Sequence, residues 1–166
     1  MKEIFERRSI RSFRKGEIPK ERIRELVEAG LCAPTAMGIR PWHFVVITKR
    51  SVLDRIPDVH PYAKMSRSAP LAIVVCGDTK LQNNEGYMAQ DLSAATENIL
   101  LMATSQGLGS VWCGVYPRRS RMRGFSELLG IPDGIIPFSL VVIGEPDERP
   151  EEMDRYDESR IHFQEW

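Results

Sequence analysis

EGYMAQDLSAATENILLMATSQ, residues 85–106, runs straight into GLGSVWCGVY, residues 107–116, and this junction decides between fold classes. Met88, Leu92, Ala95, Ile99, Met102 and Gln106 recur every three or four residues, which is helical spacing. Small residues (Ala89, Ser93, Ala94, Ala103) fill positions between them. Such a helix is apolar over much of its surface, so it is expected at the centre of the fold or at an interface. Gly107 is placed to end it, Gly109 follows, and Ser110 to Tyr116 reads as a strand. A G-x-G leaving a helix and entering a strand is the reverse of the dinucleotide fingerprint, so this is not a Rossmann loop. Gly114 within a strand pattern suggests a bulge or a close backbone approach to a ligand.

Working outward, His43 to Thr48 (HFVVIT), Pro70 to Cys76 (PLAIVVC) and Phe138 to Gly144 (FSLVVIG) read as buried strands. On the amino-terminal side, Glu3 to Arg8 suits a short helix. A second starts at Pro19, whose fixed φ and missing N–H fit a first turn. Ile23, Leu26, Val27 and Leu31 then share one face, Gly30 weakens the last turn, and Ala33-Pro34 stops the helix. Ser51 is a candidate N-cap for a short helix to Ile56. On the carboxyl side, Ser120 to Leu129 is helical, closed by Gly130 and Pro132. Strands alternate only partly with helices, so the class is α+β rather than doubly wound α/β.

The 166 residues fit one domain, residues 1–166. Lys+Arg and Asp+Glu are equal at 23 each, so no global charge draws the chain to nucleic acid or anionic lipid. No apolar run nears the roughly 20 residues that span a bilayer. Met1 to Arg14 lacks a secretory h-region, and Glu3 and Glu6 argue against a transit peptide, so the chain is expected to be cytoplasmic. Cys32, Cys76 and Cys113 are far apart and odd in number, which suits reduced, buried thiols rather than disulfides or a metal site. The tail from about 146 to 166 is polar but ends with Ile161, Phe163 and Trp166. Those side chains need a surface to bury against, and a dimer exchanging arms supplies one.

Three stretches bear on chemistry. RRSIRSFR, residues 7–14, packs four arginines and two serines into eight residues. Guanidinium forks and hydroxyls suit a phosphate, and a solvated basic face or nucleic-acid patch is the other reading. The absence of a basic excess, and of a second cluster beyond Arg118 to Arg123, speaks against nucleic acid. APTAMGIRPWHFV, residues 33–45, is a stiff helix-to-strand link whose small residues let a flat ligand lie against backbone. The third stretch is GLGSVWCGVY itself.

In this order, RRSIRSF, APTAMGIRPWHFVV and GLGSVWCGVY, with RYDESRIH at residues 155–162, the chain resembles the FMN-dependent nitroreductase family along nearly its whole length. The resemblance implies an α+β fold with a central, mainly antiparallel sheet flanked by helices. It implies a homodimer with two FMN sites at the subunit interface and a domain-swapped carboxyl-terminal arm, about 146–166, on the partner. Arg7, Arg8, Ser9 and Arg11 match the stretch that binds the phosphate and part of the ring, and Arg155 matches a late basic residue that also reaches the phosphate. Pro34, Thr35, Ala36 and Met37 match the loop bordering the flavin from the other subunit. Cys113, Gly114 and Val115 match the backbone near flavin N5.

Many members have Asn where this chain has Gly38 and Gln where it has Arg40; Arg40 is a candidate contact to N1 or O2 of the flavin. NADH or NADPH is the implied donor, with a nitroaromatic, quinone or flavin-like acceptor, and the redox chemistry belongs to the cofactor, with no side-chain nucleophile. His43, His162, Asp91 and Cys113 are read as structural. The competing readings are a specialised relative (reductive dehalogenation, flavin fragmentation), a flavin-binding or electron-storage protein, and a nucleic-acid module.

Overall fold

The structure is a computed structural model that describes residues 2–151 and 153–166, so Met1 and Glu152 lie outside the described residues. It contains six α-helices and four strands among those residues: α1 (Glu3–Glu6), α2 (Lys20–Leu31), β1 (Trp42–Ile47), α3 (Arg50–Leu53), α4 (Ile56–Val59), β2 (Leu71–Asp78), α5 (Glu85–Ser105), β3 (Gly109–Gly114), α6 (Arg119–Leu129) and β4 (Ile135–Gly144). The strands form one sheet in the order β1-β2-β4-β3, and each ladder is antiparallel. The fold is α+β.

α5 is the central helix. Asn84 caps it by accepting the Tyr87 N–H at 3.1 Å. Met88, Leu92, Ala95 and Ile99 are buried as their spacing requires, and Leu100 and Ala103 extend the same contact. Gly107, at φ 72°, ends the helix in the left-handed region, while the Leu108 N–H returns to the Ala103 carbonyl at 2.8 Å.

The sheet is covered on both faces, which explains why β2 reads as an unbroken apolar run. Leu71 to Cys76 are all 0% exposed. Leu71, Ile73 and Val75 face the cluster built by α5 and α2, while Ala72, Val74 and Cys76 face the cluster holding Ile56 of α4 and Phe125 of α6. Strand alternation sorts one sequence into two cores. β1 departs from its reading as a buried strand. It is an edge of the sheet, and His43 and Val46 are exposed.

α2 starts after Pro19 as expected, yet Leu31 is 49% exposed because the helix has rotated off the core by its last turn. Gly30 has a packing role there: a Cβ would come within 2.9 Å of the Phe44 ring. The helix expected from Ser51 to Ile56 is instead two single turns. α3 begins at Arg50 with no side-chain cap. Pro57 has no N–H to continue it, so the chain restarts with proline in the first turn of α4. Cys76 and Cys113 are buried, but Cys32 is exposed, because α2 has ended and the chain turns outward at that residue.

The amino-terminal segment leaves α1 and runs beside β3. Ser9 bridges Ser110 in parallel, and the Ile10 N–H donates to the Ser110 carbonyl at 2.9 Å. Phe13 then pairs with Pro146. Beyond residue 152 every residue of the arm is exposed, with Phe163 at 78% and Trp166 at 101%. The apolar end of the arm therefore finds no burial on its own chain.

Candidate functional site

Two of the three motifs meet within one chain. The Ser9–Ser110 bridge fixes the amino-terminal segment against the outer edge of β3 near its start, four residues before the strand ends at Gly114. Arg7 pairs through Nε with Glu97 of α5 at 3.2 Å. Arg8 donates from Nη1 to the carbonyls of Phe5 at 2.7 Å and Arg7 at 3.0 Å. The Arg11 and Ser12 backbone N–H groups both donate to Glu148 Oε1. The exposed Arg11 side chain makes only a long contact to the Ser9 carbonyl, 3.5 Å. Each guanidinium thus keeps free donors, since one has five to offer. Arg8 also lines a cleft of about 580 Å³ with Phe5, Ile10, Leu108, Glu148 and Met153. Arg155 stands exposed on the arm, and among the described residues no hydrogen bond or ion pair ties it to Arg7, Arg8, Ser9 or Arg11.

The end of β3 is tightly held. The Gly114 carbonyl accepts from His60 Nε2 at 3.0 Å and from Arg121 Nη1 at 2.7 Å. Val115 and Tyr116 both donate to the Phe138 carbonyl, at 3.1 and 2.9 Å. A Cβ added at Gly114 would meet nothing within 4 Å, so the backbone there is open to a ligand. Beside it the Cys113 thiol is pushed up to about 11 by burial, against the opposing pull of Arg11 and Arg121. It therefore stays a thiol at neutral pH and is no nucleophile.

The loop of residues 34–40 lies elsewhere. Trp42, at the start of β1, pairs with Gly77, Gly77 with Ile136, and Gly114 with Ser139. The start of β1 and the end of β3 are therefore on opposite edges, three strand spacings or about 14 Å apart across the sheet and offset by the three residues from Ile136 to Ser139 along it. The loop is itself unusual. Met37 (φ 54°), Gly38 (φ 69°) and Arg40 (φ 55°) are all left-handed. Asp91 of α5 holds it by accepting the Ala36 N–H at 2.8 Å, and Thr35 Oγ1 accepts the Arg40 N–H at 3.0 Å. Pro34, Met37 and Arg40 are exposed, and Thr35 and Ala36 are half-buried.

The model of the nitroreductase family matches residues 4–60 and 58–145. The chain belongs to the nitroreductase family. Among relatives, a protein of Methanothermobacter thermautotrophicus with the provisional name NADH dehydrogenase/NAD(P)H nitroreductase is 47% identical, over 98% of this chain and 85% of that one. A protein of Parabacteroides distasonis with the same provisional name has a crystal structure that matches with a TM-score of 0.94 at 37% identity, covering 99% of this chain and 97% of that one. A provisionally named nitroreductase of Desulfovibrio desulfuricans, solved in complex with FMN, matches with a TM-score of 0.85 at 26% identity, covering 99% of this chain and 96% of the other.

Set in the nitroreductase family, the Gly38 departure keeps the backbone intact. Position 38 is left-handed, and glycine and asparagine are the residues that visit that region most readily. The exchange removes an amide, not a turn. Of the residues the sequence set aside, Asp91 is structural in a specific sense: it fixes this loop. His43 is exposed, 3.8 Å from Asp78, and His162 stacks on Trp166 at 4.3 Å. Sequence reasoning missed His60 and Arg121. His60 sits in no motif, and Arg121 lies inside a run, Arg118 to Arg123, that reads only as basic.

Proposed function

We propose that this nitroreductase-family chain is an FMN-dependent NAD(P)H oxidoreductase that works as a homodimer and reduces nitroaromatic, quinone or flavin-like acceptors. The observation that carries this reading is the amino-terminal Arg/Ser segment bridged to β3 at Ser110, on the same strand that runs on to the open Gly114 backbone. Free donors of Arg7, Arg8, Arg11 and the Ser9 hydroxyl answer a phosphate monoester, which carries close to two charges near neutral pH. Arg155 adds to them from the arm. The open backbone at Gly114, between buried Cys113 and Val115, fits a flat ring, so the residues present suit FMN.

When bound, FMN would supply the redox chemistry, as the hydride and electron carrier between NADH or NADPH and the acceptor. The chain's part is to bind, orient and neutralise. Arg40 places a cation on the exposed rim of the 34–40 loop, suited to N1 or O2 of a flavin. Separation of that loop from the β3 edge favours a site shared by two copies, with Pro34, Thr35, Ala36 and Met37 contributed by the other subunit. The exposed Ile161, Phe163 and Trp166 favour an arm, about 146–166, that buries itself on that partner. Three free cysteines are in keeping with a cytoplasmic place. Among the described residues no helix is long and apolar enough to cross a membrane.

The purified protein should be yellow and should bleach anaerobically with NADH or NADPH. A colourless protein that takes up no added FMN would sink the reading. Bleaching without reoxidation by a panel of nitroaromatics, quinones and free flavin would leave electron storage instead. Replacing both Arg7 and Arg11 with Ala should release FMN, and loss of residues 156–166 should lower the mass seen by light scattering.

A further inference from the structure

Gly114 poses a problem that the flavin reading alone does not solve. Its φ is one that any residue adopts, and a Cβ there would touch nothing within 4 Å, so nothing inside the chain asks for glycine. A flat ligand against the backbone does ask for it, but glycine is the least restrained residue, and Gly114 closes its strand on an exposed edge. Openness and rigidity are in conflict at the very peptide that has to be placed.

We infer that His60 and Arg121 are positioning residues, clamping the Gly114 backbone so that its amide N–H is presented in a fixed direction to the flavin edge. This rests on the FMN reading. The two donors come from different elements, His60 just after α4 and Arg121 in the first turns of α6, and both bond one carbonyl, at 3.0 and 2.7 Å. The Val115 N–H, at the other end of the same peptide, is tied to the Phe138 carbonyl at 3.1 Å. That bond makes Val115 and Phe138 the hydrogen-bonded rung, so Gly114 opposite Ser139 is the open one. In an open rung both the carbonyl and the amide N–H point away from the neighbouring strand, here toward the outer edge of β3. The carbonyl clamp holds the peptide after Gly114, and the hydrogen-bonded Cys113–Leu140 rung holds the peptide before it, so the Gly114 amide N–H carried on that preceding peptide faces outward in a fixed direction.

The clamp is itself held. The His60 ring is buried, edge-on to Phe125 at 6.5 Å, and its backbone N–H donates to the Ile56 carbonyl at 2.9 Å. Donation to a carbonyl requires hydrogen on Nε2, which leaves Nδ1 a buried lone pair with no partner among the described residues. Burial, assisted by the nearby Arg121 charge, lowers the pKa of His60 and keeps that neutral form, against the pull of the Gly114 carbonyl. Arg121 is held over the Tyr62 ring at 5.5 Å. Of the four arginines in the run Arg118 to Arg123 it is the half-buried one; Arg118, Arg119 and Arg123 are exposed.

The test uses the full chain with His60→Phe and Arg121→Met, singly and together, and His60→Gln, which returns a donor near Nε2. Two quantities are read: the exchange rate of the Gly114 amide by NMR, and the limiting rate of FMN reduction by NADH under anaerobic conditions, separated from the Kd for NADH and from FMN content. The double variant should exchange faster at Gly114 and reduce FMN at least about tenfold more slowly, with Kd and flavin content within roughly twofold. His60→Gln should recover most of the rate. A folded, flavin-loaded double variant with both quantities unchanged overturns the clamp, and faster exchange with an unchanged rate overturns its part in the reaction. If His60→Phe does not fold, Arg121→Met at its half-buried position carries the same comparison. A wild-type protein that binds no FMN overturns the flavin reading instead, and the Gly114 exchange data tell that failure apart from this one.

Discussion

At the end of β3 one carbonyl takes two side-chain donors, the next two amides are tied to β4, and a core stands behind them; the loop of residues 34–40 leans on a single carboxylate and carries three left-handed residues. Both halves present exposed backbone. The first gets its shape from packing, so it should fail only when the core behind it fails. The second is a local arrangement under strain, so it should respond to single changes while the rest of the chain stands.

The largest effect expected is from Phe125→Ala. Phe125 is 0% exposed, and its ring backs His60. Emptying that space should cost about 3–5 kcal/mol in urea unfolding. A cost under about 1 kcal/mol would show that the β3 half does not stand on the core.

Next comes alkaline pH. The Cys113 thiol is pushed up to about 11 from the usual 9.0 by burial, so below pH 9 folded and unfolded chains both keep the proton and stability is full. Between pH 9 and 11 the unfolded chain gives up a proton that the folded one retains. Stability should then fall by about 1.4 kcal/mol per pH unit, or on the order of 3 kcal/mol in all. Cys113→Ala should flatten that part of the curve, although Cys76, raised to about 12, continues to contribute. An equal slope in parent and variant would mean that the thiol at the end of β3 is wet.

The same contrast explains what could be read from the sequence. The β3 half was legible because periodicity reports burial: residues 85–116 give helix, glycine stop and strand within two residues of where they lie. β1 was misjudged because HFVVIT has the composition of a covered strand, and only strand order, a long-range property, makes it an edge. Likewise PLAIVVC shows that β2 is buried without showing which two clusters bury it. The arginines and small loop residues could be picked out by chemistry and by likeness to a family. His60 could not, since a histidine bonded to a carbonyl 54 residues away leaves no local pattern. Asp91 could be placed on the apolar face of α5, but its partner, the Ala36 amide, is fixed only by tertiary packing.

Asp91→Ala tests the loop half directly. Asp91 is 4% exposed, and losing it leaves the Ala36 N–H without its acceptor. A half-buried donor so orphaned sits at the low end of the range, about 1 kcal/mol, and the amides of residues 36–40 should exchange faster while those of β3 do not change. Asp91→Asn keeps an acceptor in place and should cost less. Equal loosening of both halves would erase the distinction between them.

The smallest effects should differ in sign. Arg40 sits at φ 55°, where a side chain costs about 1–2 kcal/mol. Arg40→Gly removes that cost and adds back about 0.4–1 kcal/mol of unfolded-state freedom, leaving a net gain of somewhat under about 1 kcal/mol. Gly38 is at φ 69° with nothing within 4 Å of a would-be Cβ, so Gly38→Ala meets no clash and pays only for its backbone, about 1 kcal/mol in the other direction. Thermal unfolding of the two variants should therefore move apart from the parent, Arg40→Gly up and Gly38→Ala down. Should both fall, the left-handed turn at Arg40 is held by contacts of its side chain rather than against its backbone preference, and the loop is not the strained half.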